Sequence, residues 1–139
     1  MLFWDASSLV PLFVDERETE KMEEIFKADN SIATWWGTKV ECASAVRRRE
    51  RAGELSSADA MQSLALLEDL AGGWTEAEPT NGIRSTAVRL LAVHALTASD
   101  SLQLAAALDW AGRCGGEARL ISLDERLKEA ASREGLVCP

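Results

Sequence analysis

At 139 residues, with 47% hydrophobic and 27% charged side chains, the chain has the length of one domain and enough apolar residues to bury a core without covalent staples. Its formal net charge of −8 argues against a protein that coats nucleic acid through a broad basic surface, though not against an enzyme that meets phosphate through a cation. The three cysteines, Cys42, Cys114 and Cys138, are odd in number and form no C-x-x-C pair, so they read as free thiols of a reducing, cytoplasmic compartment.

In chain order, Leu2 to Trp4 is a short apolar strand. No basic segment precedes it and Asp5 interrupts the apolar run from Met1 to Val14, which therefore reads as neither a signal peptide nor a membrane span. Ser7-Ser8 leads into an apolar helical turn through Phe13, and Glu16 to Ala28 follows helical spacing with Met22, Ile25 and Phe26 on one stripe. Ile32 to Thr34 is a second strand. Thr38 to Arg51 is a helix, with Thr38 and Glu41 in the spacing of a capping box and Val40, Ala43, Ala45 and Val46 as its apolar side. Ser56 or Ser57 caps a further helix to about Leu70, with Leu64, Leu67 and Leu70 inward. Trp74 to Ala77 is a strand, and Thr80 to His94 and Ser99 to Arg113 are helices. The alanines of the last of these let it approach a sheet closely. After Gly115-Gly116 come a strand, Ala118 to Leu123, a helix, Asp124 to Arg133, and a short edge strand at Leu136-Val137. Strands alternating with helices imply an α/β fold with a parallel sheet, and ligands in such folds bind beyond the carboxyl ends of the strands.

Four acids stand at those positions. Asp5 ends the first strand, Glu41 lies in the first turn of the helix after the second, Asp100 opens the alanine-rich helix and Asp124 ends the last central strand. Taken singly, each has an ordinary structural reading as a helix cap or turn residue worth roughly 0.5–2 kcal/mol. Taken together they present a physical problem, because two carboxylates about 4 Å apart repel by around 4 kcal/mol at an effective dielectric near 20. Protonating one acid or binding a cation relieves that repulsion, and an all-oxygen site suits Mg²⁺ or Mn²⁺.

The segments bearing these acids resemble the blocks of the PIN-domain family. Asp5-Ala6-Ser7-Ser8-Leu9-Val10 is similar to its opening D-x-S motif, and Glu41-Cys42-Ala43-Ser44-Ala45-Val46-Arg47-Arg48 to its E-x-x-S-A-x-x-R run. His94 through Ala107 resembles the third block almost position for position, and Ile121-Ser122-Leu123-Asp124-Glu125-Arg126-Leu127 the fourth. The resemblance implies one PIN-like domain over residues 1–139, a three-layer α/β/α fold with a central parallel sheet flanked by helices. It implies a metal-dependent endoribonuclease that hydrolyses single-stranded RNA. Carried over by position, Asp5, Glu41 and Asp100 are the principal acids, Asp124 ligates Mg²⁺ or Mn²⁺ directly or through water, and Ser7 and Ser122 orient carboxylates or water. Size and motif style are most similar to VapC-like toxins of toxin–antitoxin pairs, which are homodimers silenced by a cognate antitoxin. Serine at 122 replaces the family's frequent threonine and keeps the hydroxyl.

Other residues read less sharply. Arg47, Arg48, Arg49 and Arg51 form the one dense basic cluster, either a solvated helix face or a contact for RNA or an acidic partner, with Arg47 and Arg48 as candidates. His94, the only histidine, suits a helix end better than catalysis. Of the adjacent Trp35 and Trp36, one belongs to the core and the other is free to line a pocket or partner groove. Cys42 reads as a small buried residue and not as a nucleophile. Two other classes compete with the nuclease: a non-catalytic PIN-like binding or assembly domain, which is expected to have lost acids, and a phosphoryl-transfer domain with Asp5 as nucleophile, which usually wants an acid where Ser7 stands.

Overall fold

A computed structural model describes residues 2–115 and 118–139; Met1 and Gly116, the second residue of the expected Gly115-Gly116 break, lie outside them. The four strands β1 (Leu2–Trp4), β2 (Ile32–Trp35), β3 (Thr75–Ala77) and β4 (Leu120–Ile121) form one sheet in the order β3-β2-β1-β4. Every pairing is parallel, with Leu2 opposite Ile32, Phe3 opposite Leu120 and Ala33 opposite Thr75. Strand period two sends alternate residues to opposite faces. Phe3, Ala33, Trp35, Ala77 and Leu120 pack into one core, with Phe3 and Trp110 rings 5.8 Å apart, while Trp4, Ile32 and Ile121 pack into the other.

Helices cover both faces. The second core is closed by α1 (Ala6–Leu9), α2 (Thr19–Ala28), α3 (Thr38–Arg51) and α4 (Ser57–Ala71), the first by α5 (Asn81–Val93), α6 (Ala98–Cys114) and α7 (Glu125–Arg133). This is the three-layer α/β/α arrangement expected from the alternation of periods. In α6, Ala105, Ala106 and Ala107 are all buried, and their small side chains let the helix lie close on β2 and β3. No helix among the described residues is long and apolar enough to cross a membrane.

Element ends differ from the expectations where side chains found distant partners. The helix expected from Glu16 starts at Thr19, because the Thr19 hydroxyl accepts from the Glu16 amide and faces the carbonyls of Pro11 and Val14. The strand expected over Ala118 to Leu123 shortens to β4, and Leu136-Val137 contributes a single bridge, Arg119 to Val137. Val40, expected on the apolar side of α3, is 70% exposed; Cys42 and Val46 carry the burial there. Gly37, the residue before α3, sits so close to Trp35 that a Cβ there would lie 2.6 Å from the indole nitrogen.

The chain leaves β1 for β2 and β3 on one side and returns to β4 on the other, so the connections diverge between β1 and β4. That is the switch point at which parallel sheets open a crevice. The close approach of α6 sets its shape, and Ala106→Leu is expected to cost about 1–3 kcal/mol through overpacking. Urea unfolding should show a lower midpoint with an unchanged slope; an unchanged midpoint would mean that α6 has room to spare.

Candidate metal and nuclease site

Asp5 occupies the switch point. Its amide continues the ladder by donating to the Ile121 carbonyl at 3.1 Å, which places the side chain directly beyond the sheet edge. As N-cap of α1 it accepts from the Ser8 amide at 3.3 Å, and the Ser7 hydroxyl donates to both carboxylate oxygens at 2.9 and 3.1 Å. The side chain is buried, yet among the described residues no lysine, arginine or histidine pairs with it. Burial therefore dominates, and pushes its pKa up to about 6 despite the hydroxyl and amide donors of Ser7 and Ser8.

Ser7 and Ser122 link β1 to β4. Ser7 Oγ accepts from the Leu123 amide at 2.8 Å, and Ser122 Oγ accepts from the Asp124 amide at 3.0 Å; the two hydroxyls are 3.4 Å apart. With one proton each, the consistent polarity runs from Ser122 to Ser7 to Asp5, so the relay presents donors to the carboxylate. Ser8 adds a bond of 2.8 Å from its hydroxyl to the Ile121 carbonyl, a positioning contact that sequence reading did not single out.

Glu41 does not take the capping role that its spacing to Thr38 suggests. The N-cap of α3 is Gly37 with no side-chain cap bond, so the capping box expected between Thr38 and Glu41 does not form. A longer-range pair displaces it: Gln103 of α6 donates to Thr38 Oγ1 at 2.9 Å and to Glu41 Oε1 at 3.3 Å. Gln103, almost fully buried, thus joins the start of α3 in one layer to α6 in the other. It was missed in the sequence, where the signal was a lone amide among buried alanines and leucines one turn after Asp100. The Glu41 pKa is raised, first by burial and further by the nearby Asp100 charge, against bonds from Ser99 and Gln103. The buried Cys42 thiol is pushed far up, by burial and then by the charges of Glu41 and Asp5, so it is inert and lies within the field of both acids.

Asp100 and Asp124 are turned onto their own helices. Thr97, the N-cap of α6, accepts from the Asp100 amide at 3.1 Å and donates to its carboxylate at 2.7 Å. Asp124 caps α7, accepting from the amides of Arg126 and Leu127 at 2.8 and 3.0 Å. In these rotamers no three His, Cys, Asp or Glu side chains among the described residues are grouped closely enough to hold a metal ion. The donor chemistry nonetheless fits a hard cation: buried carboxylate oxygen, neighbouring hydroxyls and, among the described residues, no competing positive charge. Releasing a cap bond costs about 0.5–2 kcal/mol, less than the repulsion that a cation removes.

The arginine cluster lies away from this edge. Arg47 follows Glu41 by six residues, about 9 Å along the α3 axis, and Arg51 by ten, about 15 Å. Arg47 pairs with Glu50 at 2.6 Å and Arg49 with Glu16, while Arg48 is exposed. His94 is the C-cap of α5, its ring 2.8 Å from Glu134, which also holds Arg89 at 2.7 Å. Trp35 is the core member of its pair and Trp36 is 53% exposed.

Comparison with solved structures identifies the same architecture elsewhere. VapC20 of Mycobacterium tuberculosis, a sarcin–ricin loop cleaving toxin, aligns with a TM-score of 0.71 at 15% identity, covering 99% of this chain and 97% of that one. PAE2754 of Pyrobaculum aerophilum aligns with a TM-score of 0.66 at 19% identity, covering 99% of this chain and 89% of that one. No protein-family model matches the chain, and no curated protein matches it in sequence. At these identities the likeness establishes the fold, and the PIN-like architecture expected from the sequence is the one observed.

The burial of Asp5 has a thermodynamic signature. Its folded-state pKa, about 6, lies above the ordinary value of 3.8, so the folded chain holds this proton more tightly than the unfolded one. This group's contribution to stability is therefore fully present below pH 3.8 and is lost as pH rises to about 6. The loss is on the order of 3 kcal/mol. In metal-free buffer, Asp5→Asn is expected to stabilise the protein above pH 6 and to have little effect near pH 3.5. Urea unfolding across that range checks it, and an asparagine variant less stable than wild type at pH 7 would contradict the assignment.

Proposed function

We propose that the chain is a Mg²⁺- or Mn²⁺-dependent endoribonuclease of the VapC-like PIN family, the toxin of a toxin–antitoxin pair. The observation that carries the reading is the buried Asp5 carboxylate at the sheet's switch point, without a positive partner among the described residues, in a region shared with Glu41. The fold shared with VapC20 supports it. In this reading Asp5, Glu41, Asp100 and Asp124 hold the cation. Asp100 and Asp124 swing off their caps to do so. A bound divalent cation supplies the charge that shields a phosphodiester and lowers the pKa of water. The chain's own part is positional. The Ser122–Ser7 relay fixes the Asp5 carboxylate, and Gln103 fixes Glu41 by donating to it. The buried surroundings strengthen every electrostatic contact made with an entering RNA strand.

A homodimer and a cytoplasmic location belong to the same reading, as does a cognate antitoxin that competes with RNA for the acidic mouth. Exposed Val88 and Leu91, one helical turn apart on α5, are the kind of surface that a dimer covers. A second reading, a PIN-like binding domain without catalysis, draws on the cap-bound carboxylates of Asp100 and Asp124. Calorimetry separates the two, because a domain that takes up no Mg²⁺ or Mn²⁺ even with RNA present is the second.

Asp5→Asn and Asp100→Asn are each expected to reduce Mg²⁺- or Mn²⁺-dependent cleavage of single-stranded RNA by about 100-fold or more, the scale on which losing one electrostatic stabiliser acts. Circular dichroism and cooperative unfolding should remain. Undiminished cleavage by either variant, purified free of host nuclease, would overturn the assignment.

A further inference from the structure

A cleft of about 460 Å³ runs between α7 and the connection from α5 to α6. Arg126, Ala130 and Arg133 line it at the i, i+4, i+7 spacing of one helical face, a wall about 10 Å long. Val93, the last residue of α5, and Leu96 of the connection face them. Both walls lead to the acidic edge. Arg126 stands two residues beyond Asp124 and donates its amide to that carboxylate at 2.8 Å, while Leu96 immediately precedes Thr97, which holds Asp100.

Most charges in and beside this cleft are already committed. Arg133 pairs with Glu129 at 2.6 Å, and Glu134 takes both His94 and Arg89. Arg126 is different: it is exposed, and no carboxylate among the described residues pairs with its guanidinium. In a chain of net charge −8, an unpaired arginine beside the proposed catalytic edge is a local attraction for phosphate. The apolar side chains of Val93, Leu96 and Ala130 match the face of a base. Glu129 shares one carboxylate oxygen with Arg133 and keeps lone pairs for base amino groups, which an acidic peptide does not offer, and this favours a nucleotide.

We propose that this cleft seats one nucleotide of the RNA strand flanking the bond to be cut, with Arg126 on its phosphate and Val93, Leu96 and Ala130 against its base. The assignment rests on the nuclease reading for its strand but concerns residues outside the acids. It also differs from the expectation that Arg47 and Arg48 meet RNA, since Arg126 lies at the acidic edge and they lie down the axis of α3.

The test compares wild type with Arg126→Ala and Val93→Asp, the latter at a 60% exposed position where folding tolerates a charge. Arg17→Ala, a change of equal charge at an exposed loop, is the control. Steady-state cleavage is read alongside fluorescence anisotropy of a short fluorescein-labelled single-stranded oligoribonucleotide, with Ca²⁺ replacing Mg²⁺. Both cleft variants are expected to raise KM and Kd about three- to tenfold with kcat within about twofold. For Arg126→Ala, the slope of log affinity against log salt should be shallower by about 0.7, the loss of one single-strand phosphate contact. The control should match wild type. RNA affinity and KM unchanged in both cleft variants would overturn the proposal while cleavage by wild type leaves the nuclease standing. An unchanged RNA affinity with weakened binding of an oligoglutamate peptide would also overturn it, and give the cleft to a protein partner. Loss of affinity in Arg126→Ala without any cleavage by wild type would support the cleft and overturn the nuclease. Wild type that neither binds nor cleaves RNA would end both.

Discussion

The structure turns on a buried carboxylate that has hydrogen-bond donors but, among the described residues, no counter-charge. Asp5 is placed by the β1–β4 ladder, capped by α1 and supplied with hydroxyl protons, yet its burial keeps it costly to ionise. A protein maximised for stability alone would not retain such a group, because a buried charge needs a partner to be tolerated. The cost becomes intelligible if the partner arrives from solution. Divalent cations bind oxygen ligands that are pre-positioned and otherwise unneutralised, and their binding returns the energy that burial withheld.

The second constraint is the joining of layers. Parallel sheets deliver their strand ends to one edge, but the helices that follow lie on opposite faces and have no reason to hold a common geometry. Here Gln103 supplies it. One neutral amide reaches from α6 across to Thr38 and Glu41 of α3, so that acids from two layers keep a fixed relation without adding charge of either sign. A lysine in that place would neutralise Glu41 and compete with a cation. The amide leaves the negative potential of the edge intact.

Much of this was legible in the sequence. The apolar strands, the alternation of periods, the alanine-rich packing of α6 and the delivery of Asp5 to a strand end all follow from local pattern, and the elements fall within a few residues of their expected bounds; Asp124, expected to close the last strand, instead stands three residues beyond β4 as the N-cap of α7. The failures share a cause. Thr38 and Glu41 have the spacing of a capping box, but a partner 65 residues away captured the Thr38 hydroxyl, and local propensity carries no information about such competition. Val40 looked inward by periodicity and points out because α3 buries the stripe through Cys42 and Val46 instead. The cleft at Arg126 was invisible for a similar reason: its walls are brought together by the packing of α5, α6 and α7, and neither alone has a motif. Conversely, the arginine run in α3 was conspicuous in the sequence, and its geometry spreads it away from the acids.

The Ser7 hydroxyl has a consequence for how the molecule can vary. β4 has only two residues of true ladder, and just past its end the Leu123 amide finds its acceptor in the Ser7 side chain and not in main chain. A side chain therefore acts as a surrogate strand, extending the sheet at the point where the backbone must diverge to open a crevice. The same oxygen that finishes the scaffold also delivers a proton to Asp5, so architecture and chemistry share one atom. Drift at position 7 is thereby restricted to residues that offer a small hydroxyl, and substitutions that spare the chemistry but not the scaffold, or the reverse, are closed to it.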